Sequence, residues 1–233
     1  MPLNESDIVL DNFQMKESSI KVEDVPYIED KSKAYYFFKR LFDMVSSFLV
    51  LIILFIPMLI IGLIVVCTSK GPMIYKSERI GRNGKKFICY KFRSMCENAE
   101  DHLNELLDQN EIEGGVTFKM KNDPRITKVG HFLRKTSLDE LPQLINILKG
   151  DMSVIGPRPC TPREKELYGP RENLRLMAPQ GLTGEWQAKG RSDTTFDQMI
   201  DMDIEYLKKR SLWYDFKLIF VTIGSLFKGR GAE

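Results

Sequence analysis

The chain has 233 residues, 43% of them apolar and 28% charged, which excludes a wholly disordered or collagen-like protein and fits one domain with appendages. The net charge of +2 is unevenly spread: residues 1–30 hold eight acids against two bases, −6, so the other 203 residues carry +8. A basic body calls for an anionic partner, whether lipid headgroups, nucleotides or nucleic acid. Four scattered cysteines with no C-x-x-C pair, and two distant histidines, His102 and His131, argue against a zinc site or a disulfide framework.

Residues 1–30 lack periodicity and read as an acidic, mobile tail. Residues 31–70 read as a membrane-associated segment. It opens on Tyr35-Tyr36-Phe37-Phe38-Lys39-Arg40, the aromatic and basic belt of a membrane interface. From Phe48 to Cys67 run twenty residues without a charge, enough to cross a bilayer core. Pro57 in the middle removes a backbone donor and predicts a kink. Both flanks are basic, and positive charge marks the cytoplasmic side. A re-entrant helix-break-helix keeps both flanks inside. A kinked helix that spans is the alternative, and a buried core helix is disfavoured because the run has no polar face.

Residues 71–233 read as a cytoplasmic body of mixed helices and strands. Arg82-Asn83-Gly84-Lys85 predicts a β-hairpin within Met73–Met95. Helices are predicted over Cys96–Gln109, Lys128–Arg134, Leu141–Leu148 (stopped by Gly150) and Met199–Lys209. Leu212–Phe227 is an apolar helix interrupted by Asp215 and Lys217, suited either to a membrane surface or to core packing. The fold class is thus α+β, mostly helical.

Three constellations could carry chemistry. Asp139-Glu140 pairs two carboxylates at a predicted helix start, five residues after Arg134. Such a pair can hold Mg²⁺ beside a phosphate. Ser137-x-x-Glu140 equally fits a capping box, with the acids serving only the helix dipole. Arg158 stands between Pro157 and Pro159, rigidly presented for phosphate or for a structural ion pair. Lys91-Phe92-Arg93 closes the hairpin, where solvated strand charges are the simpler reading.

Four segments in order resemble a known family: KFRSM at 91–95, DPRITKVGHFLRKTSLDELPQLINILKGDMSVIGPRP at 123–159, GLTGEWQAKGRS at 181–192 and DMDIEYLKKRSLWYDFKLI at 201–219. They are similar to the bacterial sugar transferases, monotopic polyprenyl-phosphate phosphoglycosyl transferases, over about residues 34–228, and to the small type made of the catalytic domain alone.

The resemblance implies a transferase moving a phospho-sugar from a UDP-sugar to undecaprenyl phosphate, releasing UMP. This would start a capsule, exopolysaccharide, O-antigen or other glycoconjugate. It implies Asp139 as a nucleophile forming an aspartyl-phosphosugar, Glu140 as its supporting acid, and Mg²⁺ at this pair. Substrate contacts would come from Arg158, Arg134, Lys91, Arg191 and Asp203.

It further implies an enzyme on the cytoplasmic face of the inner membrane. Its partners would be membrane lipid and downstream glycosyltransferases, with no nucleic acid. The family's membrane helix breaks near a Ser-Pro pair. Here the pair is Ile56-Pro57, and Gln180 stands where the family has proline before Gly181. The rival class is a non-catalytic, membrane-anchored basic module that binds anionic lipid.

Overall fold

The computed structural model describes residues 25–102, 106, 120, 122–190 and 194–227. Helix α1, Lys33–Thr68, is one continuous helix of 36 residues. Ser32 caps it by accepting from the Tyr35 N–H, and Ser69 closes it through its N–H to the Val65 carbonyl. Pro57 does not end the helix: it lies inside it, where it removes one backbone donor, and the helix runs on to Thr68.

A single stripe of α1 faces the rest of the protein. Lys39, Asp43, Ser47, Gly62 and Val65 are buried. Between them Leu51 packs on the cluster of Cys89, Leu144, Ile147 and Met152, while Met58 and Ile61 pack near Phe92 and Leu133. The remaining faces are apolar and bare, Ile53 being 73% exposed.

The hairpin forms as the sequence predicts, with β1 (Ile74–Ile80) antiparallel to β2 (Lys86–Phe92) and Ile80 opposite Lys86. Asn83 and Gly84 supply the left-handed turn, at φ 56° and 76°. Helix α2 is Lys128–Lys135, capped by Thr127. Helix α3 is Gln143–Lys149, ended by Gly150 at φ 93°.

Asn146 ties α3 to the hairpin edge: its Oδ1 accepts from the Tyr90 N–H and its Nδ2 donates to the Ile88 carbonyl. Of the helix expected over Cys96–Gln109, residues 97–102 form turns, and most of the rest lies outside the described residues.

The sequence pattern does not predict a second, parallel pair of strands, β3 (Ser153–Ile155) beside β4 (Gly181–Thr183). The chains cross closely here, and a Cβ on Gly181 would meet the Gly156 nitrogen at 2.2 Å. Short helices α4 (Pro162–Glu166), α5 (Pro170–Asn173) and α6 (Glu185–Lys189) lead to α7 (Phe196–Lys209) and α8 (Leu212–Phe227).

The largest core gathers Ile155, Ile200, Ile204, Tyr206, Leu207 and Leu218. Ile28 joins it, so the last residues of the acidic segment are seated against the body. Asp30 there pairs with Arg210 at 2.9 Å. Residues 1–24 of that segment lie outside the described residues.

Candidate active site

Between α2 and α3 the backbone turns sharply. Ser137 takes φ 58°, and Leu138–Glu140 make one 3₁₀ turn. The Ser137 side chain makes no capping bond, so the capping-box reading of Ser137-x-x-Glu140 does not hold. A left-handed residue cannot aim its hydroxyl as an extended N-cap does. Glu140 turns away from the helix start instead. Its carboxylate accepts from Lys91 on β2 and lies 3.8 Å from Nη1 of Arg158. Asp139, next to it, is 6% exposed, more enclosed than a residue at an open cap, and accepts no hydrogen bond among the described residues.

The KFRSM segment builds the wall from three sides. Lys91 reaches the carboxylates. Arg93 is buried and donates to the Ser69 carbonyl at 2.7 Å, holding the end of α1. Ser94 accepts from Nε of Arg134 at 3.0 Å, which fixes that guanidinium at the end of α2. Gly130 permits this approach, because a Cβ there would sit 1.9 Å from the Ser94 carbonyl oxygen.

Burial alone would raise the Glu140 carboxyl. Lys91, Arg158 and Arg79 outweigh it and hold Glu140 at about 2. For Asp139 burial wins. Lys91 opposes the shift, Glu140 adds to it, and Arg134 and Arg158 offset part of it, leaving Asp139 above the usual range. The two neighbours are thus shifted in opposite directions, a pattern found at reactive sites.

Arg79, Lys91, Glu140, Gln143, Arg158 and Gln187 line a narrow cleft. Arg158 also stacks over Trp186, 5.8 Å from the ring centroid. Around two carboxylates stand four cations, Arg79, Lys91, Arg134 and Arg158, an excess that suits a polyanion.

Of the residues singled out from sequence, the fold brings together Asp139, Glu140, Lys91, Arg134 and Arg158. Asp203 is elsewhere: it lies in the interior on α7, 2.6 Å from Nη2 of Arg175 and 1% exposed. Arg191 lies outside the described residues. Arg79, Gln143 and Trp186 were missed. Nothing local marks Arg79, a strand arginine, as facing a distant cleft.

Residues 34–229 match the family described as bacterial sugar transferase. The "UDP-galactose-lipid carrier transferase" of Erwinia amylovora is 46% identical over 199 residues, which is 84% of this chain and 42% of that protein. The "Undecaprenyl-phosphate galactose phosphotransferase" of Salmonella typhimurium is 48% identical over 199 residues, again 84% and 42%. The "Exopolysaccharide production protein ExoY" of Rhizobium meliloti is 42% identical over 198 residues, 83% of this chain and 87% of that protein. The chain therefore spans less than half the length of the first two relatives and most of the third. With the match running from α1 through α8 and across the whole cleft, the chain belongs to the bacterial sugar transferase family.

Proposed function

We propose that the chain transfers a phospho-sugar from a UDP-sugar to undecaprenyl phosphate, releasing UMP, and so initiates a surface polysaccharide or glycoconjugate. One observation carries this reading. Asp139, a carboxylate without a hydrogen-bond partner among the described residues, lies beside Glu140, which Lys91 and Arg158 already neutralise. The surplus cations would match the charge of a diphosphate donor, and Arg158 presents a planar fork for a phosphate oxygen.

In this mechanism an Asp139 oxygen attacks the phosphorus that bears the sugar. The bond from that phosphorus to the bridging oxygen breaks, and UMP leaves with the electron pair. An oxygen of undecaprenyl phosphate then attacks the same phosphorus. Asp139 is released, and the product is an undecaprenyl diphosphate sugar. Splitting the transfer into two displacements lets one cleft serve two large substrates in turn.

The residues fit Mg²⁺. Asp139 and Glu140 are adjacent, and Asp139 has open lone pairs. One or two carboxylates completed by substrate phosphates is an ordinary Mg²⁺ set. When bound, the ion supplies charge neutralisation at the diphosphate.

The same reading seats the enzyme on the cytoplasmic face of the inner membrane, with α1 re-entrant. Arg40 donates to the Ile147 and Leu148 carbonyls at one end of α1, and Val65 packs beside Phe92 and Leu133 near the other. Docking of the helix along one body at both ends supports a seat with both contacts on the same side of the bilayer. The bare outer faces of α1 and the exposed Trp213 and Phe220 of α8 would meet lipid. Cysteines introduced beside Ser32 and Lys70 should both resist labelling from the periplasm; labelling at either contradicts this seat.

The activity is tested by incubating detergent-solubilised protein with Mg²⁺, undecaprenyl phosphate and a panel of UDP-sugars that begins with UDP-galactose and UDP-glucose. UMP release that depends on the lipid phosphate supports the proposal. No release with any sugar leaves the lipid-binding module as the better description.

A further inference from the structure

The Pro157-Arg158-Pro159 turn has a backbone problem. Two of its three residues lack an N–H, so the turn is fixed mainly through its carbonyls. From 157 to 160 every carbonyl is taken, two by β1 and one each by β4 and the turn Leu174–Met177. Pro157 accepts from the Gly181 N–H at 2.8 Å and Cys160 from the Ile80 N–H at 2.9 Å. Pro159 accepts from Nη1 of Arg79 at 3.5 Å. The Arg158 carbonyl accepts from Nη2 of Arg175 at 3.1 Å.

Arg175 differs from the other donors. It is a side chain only 2% exposed, in the single 3₁₀ turn Leu174–Met177. Its Nη1 donates to the Tyr168 hydroxyl at 2.6 Å, and its Nη2 lies 2.6 Å from Oδ2 of Asp203. Neither Arg175 nor Asp203 lines the cleft. A buried ion pair of this kind is weak evidence for stability, since a well-packed apolar pair serves as well or better. What an apolar pair cannot do is donate to the Arg158 carbonyl.

We infer that Arg175, oriented by Asp203 and Tyr168, is the positioning residue for Arg158, holding its backbone so that its guanidinium faces Glu140 and the donor phosphates. The inference rests on the transferase reading and gives Asp203 an indirect role, through Arg175, in place of a substrate contact. The geometry supports it from both sides of Arg158: the carbonyl is anchored in the interior, while the guanidinium is half-exposed, 3.8 Å from Glu140. A shift of this carbonyl would move the guanidinium by a comparable amount, and misplacement of about 1 Å is enough to cost about a hundredfold in rate.

The test is a double-mutant cycle on UMP release, with kcat expressed per folded molecule and thermal unfolding followed in parallel. Arg175→Lys keeps the charge beside Asp203 but shortens the reach to the Arg158 carbonyl. The paired change Arg175→Met with Asp203→Leu removes both charges together. Each should lower kcat about tenfold to a hundredfold, and the apolar pair should unfold no earlier than wild type. In an Arg158→Ala background the same changes should cost less than about twofold more, because the side chain they position is gone.

Wild-type kcat in the folded apolar pair would overturn the inference. So would losses that multiply in full on Arg158→Ala, or failure of the apolar pair to fold, since each makes the ion pair purely structural. Absence of UMP release in the wild type would instead be a failure of the transferase reading.

Discussion

Two sets of carboxylates and cations lie in this protein, and they are built on opposite rules. At the foot of α1, Lys39 pairs with Asp215 at 2.6 Å, and Asp215 also accepts from the Tyr35 and Tyr206 hydroxyls at 3.3 and 2.8 Å. Asp43 accepts from the Ser153 hydroxyl and the Val154 N–H. Every charge there has partners supplied by the fold, and the cluster clamps α1, β3, α7 and α8 together. At and beside the cleft, four cations surround two carboxylates, and Asp139 accepts no hydrogen bond among the described residues. The first set is closed and complete. The second needs something from outside to balance it, which is what separates a buried structural network from a site.

The comparison can be broken first at Asp139. Asp139→Asn should fold normally, because no hydrogen bond from a described residue is lost, yet turnover should drop by more than about a thousandfold. The assay is UMP release beside thermal unfolding. An asparagine variant with substantial activity would place Asp139 with the structural carboxylates.

The mirror experiment is Lys39→Met. It strands Asp215 in the interior and should destabilise the protein by about 3–5 kcal/mol, while turnover per folded molecule stays within about twofold. A large fall in kcat with unchanged stability would mean that the clamp reaches into catalysis.

Arg158→Lys sharpens the account of the cleft. It keeps the charge and loses the fork, so it should cost about 1.5–3 kcal/mol of transition-state binding, roughly one to two decades in rate. Wild-type activity would make the Pro-Arg-Pro turn a scaffold only. The smallest effect concerns the capping box that the sequence imitates. Ser137→Ala should change stability by less than about 0.5 kcal/mol. Thr195→Ala, at a true capping box on α7, should cost about 1 kcal/mol. Equal losses at the two positions would restore the capping reading of Ser137.

What was legible in the sequence was local. The hairpin announced itself through Asn83-Gly84, α3 through its apolar spacing and Gly150, and the apolar run of α1 through its length. The candidate site was legible because its motifs are long and ordered, and the fold does bring Lys91, Arg134, Asp139, Glu140 and Arg158 within electrostatic reach of one another.

The remainder depends on contacts between residues far apart in the chain. The three-residue strands β3 and β4 pair only because Gly156 and Gly181 let the backbones approach, and neither strand carries enough alternation to be seen alone. Asn146 looks like any polar residue in a helix until β2 is laid beside it. Asp203 gave more warning. It falls on the same helical stripe as Ile200, Ile204 and Leu207, the buried side of α7, where an acid must find a partner inside the fold.

The central claim is that the carboxylate of Asp139 is a nucleophile. Its most direct test mixes wild-type protein with Mg²⁺ and a UDP-sugar labelled on the sugar, leaves out undecaprenyl phosphate, quenches, and examines the peptides. The account predicts label on the peptide that contains Asp139, released when undecaprenyl phosphate is added and absent in Asp139→Asn. An unlabelled Asp139 peptide with the sugar that supports turnover, together with full activity in Asp139→Asn, would contradict it.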